Sequence, residues 1–417
     1  MDREALEDLF RQAVAAAQPA LAIRRNLPLA PAGRTIVVGA GKASAQMAAA
    51  FEAAWEGPLE GLVVTGYGHG VPCERIEIVE AAHPVPDAAG YLAARRMMEK
   101  VSGLSHDDLV VALVSGGGSS LLPQPAPGLE LEDEQAVNRV LLASGAPIGV
   151  MNIIRNQLSA IKGGRLAALA APARVATLVV SDVPGDDPAL VASGPTIPMQ
   201  ASRAEARHLA ALYHLPLPQA AHDLLAGEEN LAPRPDDPRF ARNSVHIVAS
   251  AALSLEAAAA RAAQHGLSAH ILSDAIEGEA RDAARTQAAI VREMRVRSRP
   301  FRPPAVLLSG GETTVTIRGD GRGGRNGEFL LAFAIAIEGV EGISAMAADT
   351  DGIDGGGDNA GAIADGSSAT RMRAAGLDPL AALANNDAYN AFRTIGDLFV
   401  TGPTGTNVND FRAIIVR

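Results

Sequence analysis

Short runs of aliphatic and β-branched residues recur along the chain at 35–38, 62–64, 109–114 and 177–180. Each ends in glycine or small polar residues and leads into an alanine-rich stretch of helical character. That alternation predicts βαβ units around a parallel sheet, an α/β class of fold. A second series follows at 245–248, 305–308, 313–317 and 343–347. Between the two series, residues 227–243 are rich in proline, acid and arginine and predict an exposed connection. The pattern therefore divides the chain into domains 1–234 and 235–417, with the Pro/Arg segment 297–304 as a loop inside the second. The acidic first ten residues have the spacing of an amphipathic helix. From 152 to 166, Ile154, Leu158 and Ile161 form an apolar stripe at helical spacing, and Arg155, Ser159 and Lys162 repeat it on a neighbouring face. These two cations are then expected on one edge of a helix, as a solvated basic face or as a contact for an anion.

At 417 residues the chain exceeds what one hydrophobic core serves, so a cleft between two domains is the expected place for a ligand. The formal charge of -11 and the lack of a basic stripe interleaved with aromatics exclude nucleic acid as a partner. Cys73 is the only cysteine, which rules out an intrachain disulfide and a thiolate zinc site and fits a reducing, cytoplasmic setting. The start of the chain lacks a signal-peptide pattern. The most apolar stretch, 166–180, is interrupted by Pro172 and Arg174 and is too short for a bilayer, so no membrane partner is expected. An acidic protein that binds anions must gather its cations locally, and the glycine-rich loops show where.

The first predicted strand runs into Gly39-Ala40-Gly41-Lys42-Ala43-Ser44 and then a helix. A glycine loop entering a helix aims backbone N–H groups at an anion, and Lys42 adds a full charge; a plain tight turn is the competing reading. A Walker A loop would need glycine at Ile36 and Ser or Thr at Ala43. The dinucleotide fingerprint fails at Ser44, and the next strand ends at Val64-Thr65-Gly66 without the acid that would bind a ribose. Ser115-Gly116-Gly117-Gly118-Ser119-Ser120 follows a buried strand, and successive glycines there suit a nest for phosphate oxygens. Asp182, just past the strand at 177–180, lies where magnesium carboxylates are found, whereas Asp186 and Asp187 read as turn residues. In the second half, Glu312 follows another strand and glycine pair, and Arg325 opens an apolar helix, a position that again favours an anion. Asp349-Thr350-Asp351-Gly352 is not an EF-hand, since Ile353 and Ala360 occupy ligand positions, but Asp351 is placed to act as a base or a magnesium ligand. Residues 401–410 form a polar loop before the terminal strand. The nine histidines show no metal spacing, His83 before Pro84 reads as structural, and no Gly-x-Ser-x-Gly elbow occurs.

Taken together these loops resemble the type 2 glycerate kinases. In the first half the resemblance rests on Gly39-Ala40-Gly41-Lys42-Ala43, His83-Pro84-Val85-Pro86-Asp87, Ser115 to Ser119, Lys162-Gly163-Gly164, 181–186 and Ala192-Ser193-Gly194-Pro195-Thr196. In the second it rests on Ser309-Gly310-Gly311-Glu312-Thr313, Gly323-Gly324-Arg325-Asn326, Asp349-Thr350-Asp351-Gly352 and 401–408, which look like that family's MOFRL region at about 303–410. It spans nearly the whole chain in order. It implies a Rossmann-like three-layer first domain with a mostly parallel sheet, a smaller α/β second domain with a mixed sheet, and ATP- and magnesium-dependent phosphorylation of D-glycerate at its 2-hydroxyl in a cleft between them. On that resemblance the catalytic residues are Lys42, Arg325, Asp351 and Asn407. ATP would be held by Gly39, Gly41, Ser115, Gly116, Gly117, Gly118, Ser119, Ser120, Asp182 and Glu312, with Arg155 or Lys162 on the substrate carboxylate and Asp182 and Asp351 on magnesium. Gly327-Glu328 stands where Gln-Glu is usual, and 355–358 is richer in glycine than expected. A homodimer is left open. Family members have also been named hydroxypyruvate reductases, so an NAD(P)H-dependent reductase is the competing function, disfavoured by the missing ribose acid. Lys42 and Arg325 each sit in a loop opening a helix, so truncating either should spare the fold.

Overall fold

The structure, a computed structural model, describes residues 2–183, 185–229 and 231–417; Met1, Asn230 and Pro184, the last within the 181–186 motif, lie outside the described residues. Every residue of β1 (Thr35–Ala40) and β4 (Leu109–Ser115) is buried, so these strands read as unbroken apolar runs, not alternating ones. With β2 (Glu60–Gly66), β3 (Ile76–Ala81), β5 (Arg174–Val180) and β6 (Ser244–Ala249) they form a sheet in the order β3-β2-β1-β4-β5-β6. It is parallel in every pairing from β3 to β5. Gly39 lies inside β1, where a Cβ would run into the Leu113 carbonyl of β4, so close strand packing accounts for this glycine. Ile36, Val38 and Val110 pack with Ala93 and Met97 of the helix Ala88–Val101 to form the core.

The remaining strands are β7 (Ser268–Ser273), β8 (Gly278–Glu279), β9 (Ala305–Ser309), β10 (Thr313–Thr314), β11 (Ile343–Asp349), β12 (Gly361–Asp365), β13 (Leu398–Phe399) and β14 (Asp410–Val416). Six of them build a mixed sheet in the order β13-β12-β11-β14-β9-β7, antiparallel except for the β7–β9 pair. Alternation sorts its residues: Ala345, Ala347, Ile414 and Val416 join Phe329 and Phe333 of the helix Arg325–Ala336. Met346, Ala348, Ala413 and Ile415 join Leu6, Leu9 and Phe10 of the amphipathic helix Arg3–Ala16. No helix among the described residues is long and apolar enough to cross a membrane.

Packing divides the chain into a unit Pro19–Val248 and a unit made of the first 18 residues with Ala249–Arg417. By packing, the division drawn at 234/235 falls instead at Val248/Ala249, before the last residue of β6, and the first helix belongs with the second unit. The run 245–248 marks a strand but not its sheet, and it becomes the sixth strand of the first sheet. The single helix expected over 152–166 is two, Ile148–Gln157 and Arg165–Ala170. Ser159 Oγ accepts from the Ile161 and Lys162 amides at 3.2 Å, and Gly163 and Gly164 adopt φ of 61° and 80°, which no helix continues through. Arg155 and Lys162 therefore do not share a helix edge. The strand expected at 313–317 is only β10, after which Ile317 is 80% exposed.

Candidate active site

In the first unit, the loops leaving β1 and β4 interlock. The Lys42 amide donates to the Gly116 carbonyl at 2.9 Å, while Ser115 Oγ accepts from the Ala43 amide at 3.0 Å and meets Ser44 Oγ at 3.0 Å. Gly41, at φ 144°, allows this approach, since a Cβ would strike Ser115. The three glycines that follow are each pressed by a neighbour: a Cβ on Gly116 would collide with the Asp182 carboxylate, one on Gly117 would lie 3.1 Å from the His83 ring and 3.3 Å from Lys42 Cγ, and one on Gly118 would lie 2.7 Å from the Ala40 carbonyl. Lys42 itself is exposed. Lys42, His83, Asp182 and the Gly116-Gly117-Gly118 turn thus meet at the carboxyl ends of β1, β4 and β5, the end of an open α/β sheet where ligands bind.

A chain of polar groups runs from this turn. Ser119 Oγ and Ser193 Oγ are 2.7 Å apart, Ser193 Oγ donates to Asn152 Oδ1 at 2.9 Å, and Arg155 NH1 donates to the same oxygen at 3.3 Å. Arg155 Nε donates to Asn138 Oδ1 at 2.9 Å. Burial draws Arg155 down to about 10, which leaves it charged at neutral pH. Ser120 Oγ is turned to the Gly117 carbonyl at 3.2 Å and serves the turn itself. Lys162 is 1% exposed and ion-paired with Glu134, so its charge is spent inside the fold.

The sequence marks His83 as structural, yet its ring lies against Gly117. Burial, together with the charges of Lys42, His69 and Arg155, lowers its pKa to about 4. Because the folded value lies below the unfolded one of about 6.5, the neutral ring favours the folded state above that pH, and the contribution is lost as pH falls towards 4. In a histidine NMR titration His83 should therefore stay neutral down to about pH 5; a midpoint near 6.5 would show that neither burial nor the cations act on it.

In the second unit Arg325, the first residue of its helix, meets three carboxylates, of which Glu312 alone is expected from the sequence. Arg325 Nε donates to Asp410 Oδ1 at 2.6 Å, NH2 to Asp349 Oδ2 at 2.7 Å and NH1 to Glu312 Oε1 at 3.2 Å. Asp410 is buried and also accepts from Asn326 Nδ2 at 2.8 Å, the Thr313 amide at 3.2 Å and Arg412. Burial alone would lower the Arg325 pKa, but Asp410 and Asp349 raise it above its ordinary value. Asp349 is pushed up to about 8 by burial and by Asp351 and Asp410, against the opposing pull of Arg325. Asp351 accepts from Asn407 Nδ2 at 3.2 Å and from the Ile353 amide at 2.8 Å, which places the two expected catalytic residues in contact.

The helix opening at Arg325 does not present a free N-terminus, because Asp354 accepts from the Asn326 amide at 3.0 Å and the Gly327 amide at 2.8 Å. The protein's own buried carboxylate fills the place an external anion would take. A pocket of about 420 Å³ lies beside Arg325, lined also by Thr313, Val315, Gly323, Glu328 and Asn386.

Among the described residues no group of three or more His, Cys, Asp or Glu could hold a metal. Magnesium needs only one or two carboxylates when phosphates supply the rest, and Asp182 and Asp351 are oxygen donors of that kind. Asp349, Asp354, Asp410, Asn138, Asn152 and Ser193 were not singled out from sequence; Asp349, Asp410 and Ser193 stand in the quoted motifs, but only tertiary contacts give them a role.

Residues 5–226 match the family described as a domain of unknown function (DUF4147), and residues 305–410 match the MOFRL family. A protein of Agrobacterium vitis provisionally named hydroxypyruvate reductase is 52% identical over 99% of this chain and 94% of its own. The D-glycerate 2-kinase of Thermotoga maritima is 40% identical over 97% of this chain and 95% of its own. The crystal structure of a glycerate kinase from Thermotoga maritima superposes with a TM-score of 0.91 at 38% identity, covering 99% of both chains.

Proposed function

The chain belongs to the glycerate kinase family, and from that premise we propose that it transfers the γ-phosphoryl group of ATP to the 2-hydroxyl of D-glycerate. The observation that carries this reading is the full-length likeness to a D-glycerate 2-kinase. The first unit's turn supports it: successive glycine N–H groups beside an exposed lysine suit phosphate oxygens. The reductase reading lacks such support, since β2 ends at Gly66 without an acid for a nicotinamide ribose.

Phosphoryl transfer asks a protein mainly to position the reactants and offset charge. Lys42 would stabilise charge on the transferring oxygens, and the Gly116-Gly117-Gly118 turn, with Ser119, would cradle the nucleotide phosphates. In the second unit Arg325 would offset charge, and Asp351, which accepts from Asn407, would take the proton of the attacking hydroxyl or hold the metal. Glu312, the most exposed of the carboxylates on Arg325, is the one an incoming phosphate can displace. Magnesium, held with the phosphates by Asp182 or Asp351, would neutralise phosphate charge. A lone cysteine suits a reducing cytoplasm.

The test is ADP release by the purified chain with ATP, magnesium and D-glycerate, run beside a nicotinamide absorbance trace with hydroxypyruvate. Glycerate-dependent ADP release with a flat trace is expected. Steady oxidation of NAD(P)H without ATP would overturn the assignment.

A further inference from the structure

Three charged groups of the first unit, Glu134, Arg155 and Lys162, lie near one another, and their charges do not cancel. Lys162 and Glu134 are both buried and neutralise each other. Asn138 stands one helical turn beyond Glu134 in the helix Leu131–Ala143, where a carboxylate would have completed a second ion pair with Arg155. It is an amide instead. Arg155 is held by Asn138 Oδ1 at 2.9 Å and Asn152 Oδ1 at 3.3 Å, both neutral oxygens on side chains 2% and 1% exposed. Its NH2 has no hydrogen-bond partner among the described residues, although the side chain is only partly exposed. The surroundings of Arg155 thus hold a surplus positive charge in a partly desolvated place, where an unpaired ion is costly. Arg325 differs, for three carboxylates already surround it.

A planar guanidinium held at Nε and by one bond at NH1 keeps NH2 to donate to a carboxylate oxygen. Asn152 also accepts from Ser193, which meets Ser119 beside the glycine turn, so an acid bound at Arg155 sits at the end of a hydrogen-bonded chain leading to the proposed phosphate cradle. Resting on the kinase reading above, we propose that Asn138 and Asn152 are specificity-determining residues, which by holding Arg155 through neutral oxygens reserve its charge for the carboxylate of a small hydroxy acid.

The assignment is tested by titrating the full-length protein calorimetrically with D-glycerate and with its uncharged analogue glyceramide, and by measuring KM for D-glycerate and for ATP. The wild type should bind D-glycerate on the order of 10²-fold more tightly than glyceramide, the scale of a desolvated charge pair. Asn138→Asp supplies the missing counter-ion and should raise both Kd and KM for D-glycerate by on the order of 10²-fold, leaving KM for ATP and kcat at saturating glycerate near the wild-type values. A general structural defect would not divide KM from kcat in this way. Arg155→Gln should bind both ligands alike, and it decides the matter if Asn138→Asp does not fold. Either variant, folded and keeping the wild-type preference for the carboxylate, overturns the assignment, as does a wild type that binds neither ligand or both equally. A wild type that prefers D-glycerate in the titration but releases no ADP would remove the kinase reading and leave this one standing.

Discussion

Lys42→Ala is expected to lower turnover by roughly 10²-fold or more, the effect of removing a preorganised group that meets charge developing in the transition state. Its melting temperature should move by no more than a few degrees, because the side chain is exposed and its truncation opens no core cavity. The backbone there is fixed by other means: the Lys42 amide is held by the Gly116 carbonyl and the next amide by Ser115 Oγ, so the turn survives the loss of the ammonium. Lys42→Arg should not restore full activity, since a planar fork differs in shape from a compact ammonium lying against Gly117 and His83. Steady-state kinetics and a thermal melt on each variant check both halves of the statement. A folded Lys42→Ala enzyme with near-normal turnover would remove Lys42 from the chemistry.

Arg325→Ala should lose turnover by a similar factor of roughly 10² or more, but here the fold does not escape. The sequence places Arg325 in a loop opening a helix and suggests that truncation is harmless; the structure surrounds it with Asp410, Asp349 and Glu312. Removing the cation leaves the buried Asp349 without its ion-pair partner and Asp410 with Arg412 alone, and breaking a buried pair typically costs about 3 kcal/mol or more. Asp349 softens the loss, because burial and its acidic neighbours already raise its pKa to about 8 and let it take up a proton. The expected result is an inactive enzyme that unfolds measurably earlier in urea. Arg325→Lys should recover little of either property, as one ammonium cannot serve three acceptors approached from Nε, NH1 and NH2. Wild-type stability in Arg325→Ala would contradict the contact network; wild-type turnover would contradict the role.

What the sequence made legible was local. The runs that became β1, β4 and β5 announce themselves because strands covered on both faces are continuously apolar. The turn after β4 is visible because consecutive glycines have few other uses. Sheet membership was not visible: β6 has the same apolar pattern whichever domain it joins. Nor was the break after Gln157: Ile154, Leu158 and Ile161 have the spacing of one helix, yet the first two pack in one core cluster and Ile161 in another. The pairings that decide charge were the least legible. Lys162 and Arg155 look equivalent in a window of sequence, and only the fold brings Glu134 to one and amide oxygens to the other. Asp354, likewise, looks like one more acid in a glycine-rich loop until it is found filling the N-terminus of the helix that begins at Arg325.

The central claim is that this chain phosphorylates glycerate, and does so at the 2-hydroxyl. Incubating the purified protein with ATP, magnesium and D-glycerate and identifying the product by phosphorus NMR tests it most directly. The account predicts 2-phosphoglycerate formed in equal amount with ADP; 3-phosphoglycerate as the product, or ADP accumulating without any phosphorylated glycerate, would contradict it.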